Sequence, residues 1–287
     1  MSTLRDRAIR FGYGIGWRVA GALPPWLVTM IISQASVRVL RHDRSHVRTL
    51  RRNLSAATGR PATDDLVRRA LASYLRTLYE VLALPTWGSR EVITRVVTDG
   101  ERQFRATAAA QGVVVALPHS GNWDLAGAWA CLTRLPVTTV AEELGGGSFE
   151  AFVRFRERLG MEVLSHRDPA VMSKLIDAIR RGRVVCLLAD RDLEGRGVPV
   201  RWRGHPITMP AGPAVLARRT GAALVPLISQ YTPSGMKIIF GSPVEHRLGD
   251  RGLAWMVQQV ADFFAEHIAE QAEDWHLMQP FFDRTGS

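Results

Sequence analysis

The sequence predicts an α/β fold: a central, largely parallel sheet flanked by helices, with an N-terminal helical annex suited to docking on a membrane. Three observations lead there. From about residue 91 onward, short apolar runs alternate with amphipathic stretches, the rhythm of strands and crossover helices. Before that point the apolar spacing is helical throughout. The first helices also carry aromatic residues bracketed by arginines, a mix that suits the interface of an anionic membrane. With 287 residues, 46% of them hydrophobic and 22% charged, the chain can bury one full core. The expected organisation is a single domain over 1–287, with the annex in 1–90 and the α/β core in 91–287. No internal repeat or low-complexity tract interrupts it.

In the annex, Pro24 and Pro25 split the apolar segment from Val19 to Ser33 into pieces too short to span a bilayer of about 30 Å. Two short helices result, carrying Phe11, Tyr13, Trp17, Trp26, Leu27, Met30 and Ile31 among Arg5, Arg7, Arg10, Arg18, Arg38, Arg41 and Arg44. Their apolar side chains serve either a membrane interface or the core. From Arg48 to Trp87, Leu50, Leu54, Leu66, Ala70, Leu71, Tyr74, Leu75, Leu78 and Leu82 recur at helical spacing, broken at 59–64 with Thr63 or Asp64 as the cap. In the core, strands are expected at 113–117, 137–141, 161–164, 184–189, 223–228 and 237–240. Helices are expected at 149–159, 171–179 and about 253–271, and 214–217 is a further apolar run.

The formal net charge of +10 and a pI near 10.8 favour anionic partners such as phosphate-bearing substrates or an acidic membrane surface. Of 37 basic residues only Lys174 and Lys237 are lysine. Nucleic acid is not expected, since no zinc-ligand framework, aromatic RNA-binding signature or recognition helix stands out. Cys131 and Cys186 fall inside apolar elements and read as buried thiols in a reducing compartment. The charged start from Met1 to Arg10 does not resemble a signal peptide, which places the chain inside the cell.

The densest chemistry is at His119-Ser120-Gly121-Asn122-Trp123-Asp124. The apolar run 113–117 ends at Pro118, so His119 sits at the carboxyl end of a buried parallel strand, where open α/β sheets gather their ligands. A histidine there, with a carboxylate in the next helix's first turn, can act as general base toward a hydroxyl. No second histidine or cysteine stands nearby at ligand spacing, which argues against a metal. Either residue alone has a plainer use, Asp124 as a helix cap and His119 as loop filler. Later strand ends add to the same cleft. The run 184–189 delivers Asp190, and 138–141 delivers Glu142. The basic helix end holding Arg154, Arg156 and Arg158 offers Arg156 to an anion.

Together, His119-Ser120-Gly121-Asn122-Trp123-Asp124, Val140-Ala141-Glu142, Phe155-Arg156, Leu188-Ala189-Asp190-Arg191-Asp192-Leu193, Met209-Pro210-Ala211-Gly212-Pro213 and Asp274-Trp275-His276-Leu277-Met278-Gln279 resemble the bacterial lysophospholipid and lipid A-type acyltransferases. The resemblance runs from Gly14-Ile15-Gly16-Trp17-Arg18 to Gln279. Its nearest branch is the actinobacterial phosphatidylinositol mannoside acyltransferases, because lipid A enzymes usually carry glutamate where Asp124 stands. The resemblance implies that His119 is the catalytic base and Asp190 its relay partner, with Asp124, Glu142 and Arg156 lining the site. That branch usually has glutamate, one methylene longer, where Asp190 stands, which leaves Asp124 as the second candidate to orient His119. Gly145-Gly146-Gly147 also departs from the more polar linker of that branch.

The implied reaction moves a long acyl chain, such as palmitoyl, from acyl-CoA to the mannose 6-hydroxyl of phosphatidylinositol mannosides. Its partners are acyl-CoA as co-substrate and an anionic glycophospholipid, with no cofactor. Its place is the cytoplasmic face of the cell membrane, held peripherally. Backbone amides near Gly121 and Asn122, or a nearby arginine, are candidates to stabilise the thioester oxygen. An apolar groove around Ala214, Val215 and Leu216 is the expected seat of the acyl tail. Three alternatives use the same residues differently: a lipid A-type or other glycolipid or lysophospholipid acyltransferase, an acyl-CoA thioesterase, and a non-enzymatic lipid carrier in which His119 is structural.

Overall fold

In a computed structural model of the chain, which describes residues 20–42, 44–142, 148–192 and 195–282, the described part of the annex is built mainly from three helices. These are α1 (Pro25–His42), α2 (Arg44–Thr58) and α3 (Asp64–Ala83). Residues 20–22 are also helical and the chain breaks at 23–24, so the proline pair interrupts the segment. Pro25 opens α1, where a missing N–H costs nothing. Helix α1 runs for 18 residues, longer than the short piece expected. Residues 1–19, with Phe11, Tyr13, Trp17 and their arginines, lie outside the described residues. Thr63 caps α3 by accepting from the Leu66 amide at 3.2 Å, and Asp64 and Asp65 place negative charge on its first turn.

The annex's own core is Leu50, Leu54, Leu66, Val67, Ala70 and Leu71, packed with Ala272 from the C-terminal segment. One face of α3 departs from expectation. Leu78 is 46% exposed, whereas Ser73, Thr77 and Glu80 are buried. The expected leucine stripe therefore gives way, along the second half of α3, to a buried polar edge. Among the described residues no helix is long and apolar enough to cross a membrane.

The core adds α4 (Ser89–Thr94), β1 (Val96–Asp99), α5 (Glu101–Gln111), β2 (Val113–Leu117), α6 (Trp123–Leu132), β3 (Val137–Ala141), α7 (Ser148–Arg158) and β4 (Glu162–Ser165). It continues through α8 (Val171–Arg180), β5 (Val184–Leu188), β6 (Val198–Trp202), β7 (His205–Met209), α9 (Gly212–Thr220), β8 (Ala223–Tyr231), β9 (Met236–Phe240) and α10 (Gly249–Glu270). Seven strands form the sheet in the order β1-β9-β8-β2-β5-β3-β4, while β6 and β7 pair as a separate hairpin. The five strands from β8 to β4 run parallel. Strand β9 returns antiparallel on β8 after a short turn, and β1 pairs parallel with β9. Elements β1, α4, α5 and the β6–β7 hairpin carry too weak an apolar pattern to be read from sequence. Strand β1 is a four-residue edge with alternate residues exposed, and β6 alternates buried and outward positions over only five.

Strand β2 is central and buried at all five positions, as expected of a strand covered by helices on both faces. Val113, Val115 and Leu117 pack with Leu125, Ala128 and Trp129 of α6 and with Phe104 of α5. Val114 and Ala116 pack on the opposite face with Leu216 of α9, Met256 and Phe264 of α10, and Leu224 of β8. Ala214 and Leu216 are thus buried core residues of α9. The groove expected there does not open among the described residues, because α9 is packed against the sheet. A Leu224→Ala substitution, which empties a fully buried position, is expected to lower unfolding stability by about 2–5 kcal/mol, measured by chemical denaturation.

Candidate active site

Register brings the first two site residues together. Strands β2 and β5 are parallel neighbours with Leu117 opposite Leu188, and His119 and Asp190 each lie two residues past that pair. The Ala189 amide donates to the Leu117 carbonyl at 2.9 Å and carries the pairing to the sheet's edge. His119 Nδ1 then lies 2.6 Å from Asp190 Oδ1, and the His119 backbone N–H donates to Asp190 Oδ2 at 2.9 Å. The Trp275 indole N–H donates to the same Oδ2 at 3.0 Å. Asp190 is fully buried. Burial works to raise its pKa, but the charge of His119 and the hydrogen bonds from His119 and Trp275 outweigh it and hold the carboxyl below its ordinary value. A carboxylate on Nδ1 fixes the proton there and leaves Nε2 with a lone pair. His119 keeps 17% side-chain exposure, and Trp123 stands edge-on to its ring with centroids 5.4 Å apart.

Asp124 does not share this arrangement. Its carboxylate accepts from Arg156 Nε at 2.6 Å and Nη2 at 3.3 Å, and both residues are buried. The carboxylate that meets His119 is therefore Asp190, and Asp124 anchors the arginine. Arg156 in turn is committed to an internal carboxylate. Arg154 and Arg158 are exposed on the same helix. Glu142, the residue after β3, is exposed to solvent beside the undescribed residues 143–147.

The Asp124–Arg156 pair lies among the lining of a largely apolar cavity that opens to solvent. The cavity lies between the sheet and α6. Leu117, Cys186, Leu188, Trp123, Met161 and Phe240 are among its walls. Cys186 is therefore only partly buried, as is Cys131, and both are free thiols. Desolvation, reinforced by the neighbouring Cys131, pushes the Cys186 thiol up to about 12. This cavity is on the face of the sheet opposite α9, the helix expected from sequence to border the acyl groove.

Residues 3–284 match the family described as bacterial lipid A biosynthesis acyltransferase. The chain belongs to that family. Curated relatives agree with the assignment. A phosphatidylinositol mannoside acyltransferase of Mycobacterium tuberculosis is 38% identical over 288 residues, covering 97% of this chain and 90% of the relative. Another of the same description, from Mycolicibacterium smegmatis, is 38% identical over 278 residues, covering 94% and 90%. The protein is an acyltransferase.

Several contacts that hold this acyltransferase's histidine loop in place are not ones that sequence reasoning assigns. Gly121 has φ +60°, and a Cβ on it would lie 2.7 Å from the Ser229 carbonyl oxygen, so only glycine lets the loop sit this close to β8. Its amide donates to the Asp274 carbonyl at 3.0 Å, and the His276 amide donates to the His119 carbonyl at 2.8 Å. The Gly121 amide is therefore not free to hold a substrate oxygen. Ser73 Oγ donates to Asp274 Oδ1 at 2.6 Å and lies 3.0 Å from His276 Nε2. Since that proton goes to the carboxylate, His276 Nε2 is the donor to Ser73, and Nδ1 is a buried acceptor without a partner among the described residues. The available signal is the Asp274-Trp275-His276 motif and the i, i+4, i+7 spacing of Ser73, Thr77 and Glu80.

Burial, together with the charge of His119, lowers the His276 pKa to about 3. An unfolded imidazole takes up its proton near pH 6.5. Between about pH 6.5 and pH 3 the unfolded chain thus holds a proton that the folded chain refuses, and stability falls as pH falls. The expected slope from this residue is up to about 1.4 kcal/mol per pH unit. In denaturation curves collected across that window, His276→Gln is expected to remove this slope, whatever its effect at neutral pH.

Proposed function

We propose that this acyltransferase transfers a long acyl chain, such as palmitoyl, from acyl-CoA to the mannose 6-hydroxyl of phosphatidylinositol mannosides, with His119 as general base. The observation that carries the reading is a His119–Asp190 pair at the carboxyl edge of the sheet, close to an apolar cavity that Leu117 and Leu188 both line. A hydroxyl is a poor nucleophile until its proton leaves, and the Nε2 lone pair of His119 can accept that proton as the oxygen attacks the thioester carbonyl. Asp190 supports the imidazolium that forms. Collapse of the tetrahedral adduct breaks the C–S bond, and the imidazolium returns the proton to the departing CoA thiolate. Atoms and charges balance without a covalent enzyme intermediate, and no cofactor is required. With the Gly121 amide engaged, the Asn122 amide and those opening α6 remain candidate backbone donors for the developing oxyanion.

The cavity under α6 suits the acyl tail, being lined mostly by apolar side chains and open at one mouth. The acceptor class is that of the two mannoside acyltransferases to which the chain is similar. A peripheral place on the cytoplasmic face of the membrane fits α1, where Trp26, Met30 and Ile31 are exposed and Arg38 and Arg41 lie toward the other end.

The deciding assay offers labelled palmitoyl-CoA with phosphatidylinositol mannosides, lysophospholipids or a lipid A precursor to the wild type and to His119→Ala. Transfer to the mannoside, reduced about 10²–10⁴-fold in the mutant, is the expected result. Transfer only to another acceptor would replace the substrate, and release of free fatty acid regardless of acceptor would make the protein a thioesterase. Asp190→Asn is expected to lower kcat by at least about 10²-fold, because a neutral amide neither fixes the tautomer nor supports the imidazolium.

Chain-length preference supplies a separate check on the cavity. A Cβ at Gly127 would lie 2.5 Å from Met161 Sδ, and Met161 lines the cavity. Gly127→Ala is therefore expected to push the flexible thioether inward and shift preference toward shorter acyl donors, read as the ratio of kcat/KM for palmitoyl-CoA and decanoyl-CoA. An unchanged ratio would move the acyl chain out of this cavity.

A further inference from the structure

The helical annex contributes a buried carboxylate to the heart of the core. Glu80, near the end of α3, is 4% exposed and lies at the junction of three elements. Its Oε2 accepts from Asn122 Nδ2 at 2.9 Å and from the Tyr231 hydroxyl at 3.1 Å. Its Oε1 accepts from Arg76 Nε at 2.8 Å. Arg76 also donates to the carbonyls of Thr232 and Gly235 in the β8–β9 turn, both at 3.0 Å, and its guanidinium lies 3.9 Å from the centre of the Tyr231 ring. Thr77, one turn earlier on α3, puts its hydroxyl 2.9 Å from the Tyr231 hydroxyl and 3.1 Å from the Gly121 carbonyl.

Asn122 is the residue through which this junction meets the chemistry. It is fully buried, and its side-chain oxygen caps α6 by accepting from the Leu125 amide at 3.0 Å. An asparagine amide can be turned end for end, exchanging donor and acceptor. A carboxylate accepts only, so Glu80 permits a single orientation, with nitrogen toward itself and oxygen toward the helix. That orientation fixes the first turn of α6, which begins four residues beyond His119 and carries Trp123 against its ring.

We infer that Glu80 is a positioning residue for His119, acting through Asn122 and the α6 cap, so that the annex is part of the catalytic scaffold. The inference rests on His119 being the base. A cap released from Glu80 leaves Trp123 and the loop free to leave the geometry in which Nε2 faces the hydroxyl, and small displacements of a general base cost rate more than binding.

The test measures steady-state kinetics, with palmitoyl-CoA and phosphatidylinositol mannoside, on Glu80→Ala, Tyr231→Phe, Asn122→Ala and the Glu80→Ala/Asn122→Ala pair. Each variant is assayed well below its unfolding midpoint. Glu80→Ala is expected to lose about 10–100-fold in kcat with both KM values within about twofold. The double variant is expected to be no slower than the slower single one, since both remove the same constraint. Tyr231→Phe keeps the ring under Arg76 and removes only the hydroxyl, so it remains informative if Glu80→Ala does not fold, and a loss of about 3–10-fold in kcat is expected. Wild-type kcat in folded Tyr231→Phe and Glu80→Ala, or losses that multiply in the double variant, would overturn the inference. If His119→Ala proved as active as wild type, the reading of the base would fail instead.

Discussion

Everything at the site depends on the register of two parallel strands. With Leu117 opposite Leu188, equal steps along β2 and β5 deliver His119 and Asp190 to the same height, where a hydrogen bond of 2.6 Å joins them. A slip of one residue would turn the slipped strand's side chains to the opposite face and take His119 and Asp190 out of step. The register is in turn pinned by the packing of both faces, since Val113, Val115 and Leu117 belong to the cluster under α6 and Val114 and Ala116 to the cluster under α9 and α10. The hydrophobic core therefore sets the geometry of the polar pair. Asp190 is the more demanding partner. A fully buried carboxylate is costly unless every oxygen is satisfied, and the His119 ring, the His119 amide and the Trp275 indole supply the required donors. Trp275 is itself stacked on Trp202 of the β6–β7 hairpin, with ring centroids 5.5 Å apart. The hairpin stands outside the main sheet, yet it supports the carboxylate that pairs with His119.

A second set of constraints comes from the annex and the C-terminal segment, which meet at the histidine loop from the same side. Asp274 accepts from Ser73, from the Tyr231 amide and from Gln271, while Asn53 on α2 donates to the carbonyls of Leu277 and Gln279 at 2.8 Å. These bonds are buried or partly buried, so they are worth more than they would be at a surface. They also give directional information that apolar packing lacks. A leucine in place of Ser73 or Glu80 would fill space without fixing the angle at which α3 crosses the loop. The second half of α3 is polar on its buried edge for this reason, and leaves Leu78 outside.

That edge also marks where reading the sequence succeeds and where it stops. Strands β2 and β3 match the expected bounds, because a continuous apolar run ended by Pro118 and a mainly β-branched run ended by carboxylates each read as a strand. The positions of His119 and Asp190 at strand ends are legible for the same reason. The partnership of Asp124 with Arg156 is not, since α7 lies more than twenty residues downstream and nothing local links a helix-start carboxylate to it. Sequence reasoning expects a groove at α9, where the structure has packed core, because apolar residues of α9 look alike whether they line a cavity or fill a core. The cavity exists where α6 carries small residues, Ala126, Gly127 and Ala130, facing strand side chains. The buried polar edge of α3 escapes a sequence reading because a stripe of leucines conventionally marks the inward face of a helix, and here it is shared between two neighbours and solvent.

The Asp124–Arg156 pair shows why substitutions in such a site must be interpreted through energetics as well as chemistry. The pair is almost wholly removed from water, where desolvation offsets most of its Coulomb attraction, so its net contribution to stability is small. Removing one partner is a different matter, because it strands a charge beside an apolar cavity at a cost of about 3–5 kcal/mol. Loss of activity in Asp124→Ala would follow from that cost alone, with no catalytic role for the carboxylate. Exchanging the two residues' charges, or replacing both by apolar residues of similar volume, separates the cases, since neither change leaves an orphan charge. A pair that serves only to close the corner of the cavity would tolerate the apolar replacement. A pair that meets the acyl donor or acceptor would not, because the replacement removes the charged groups from the cavity's lining.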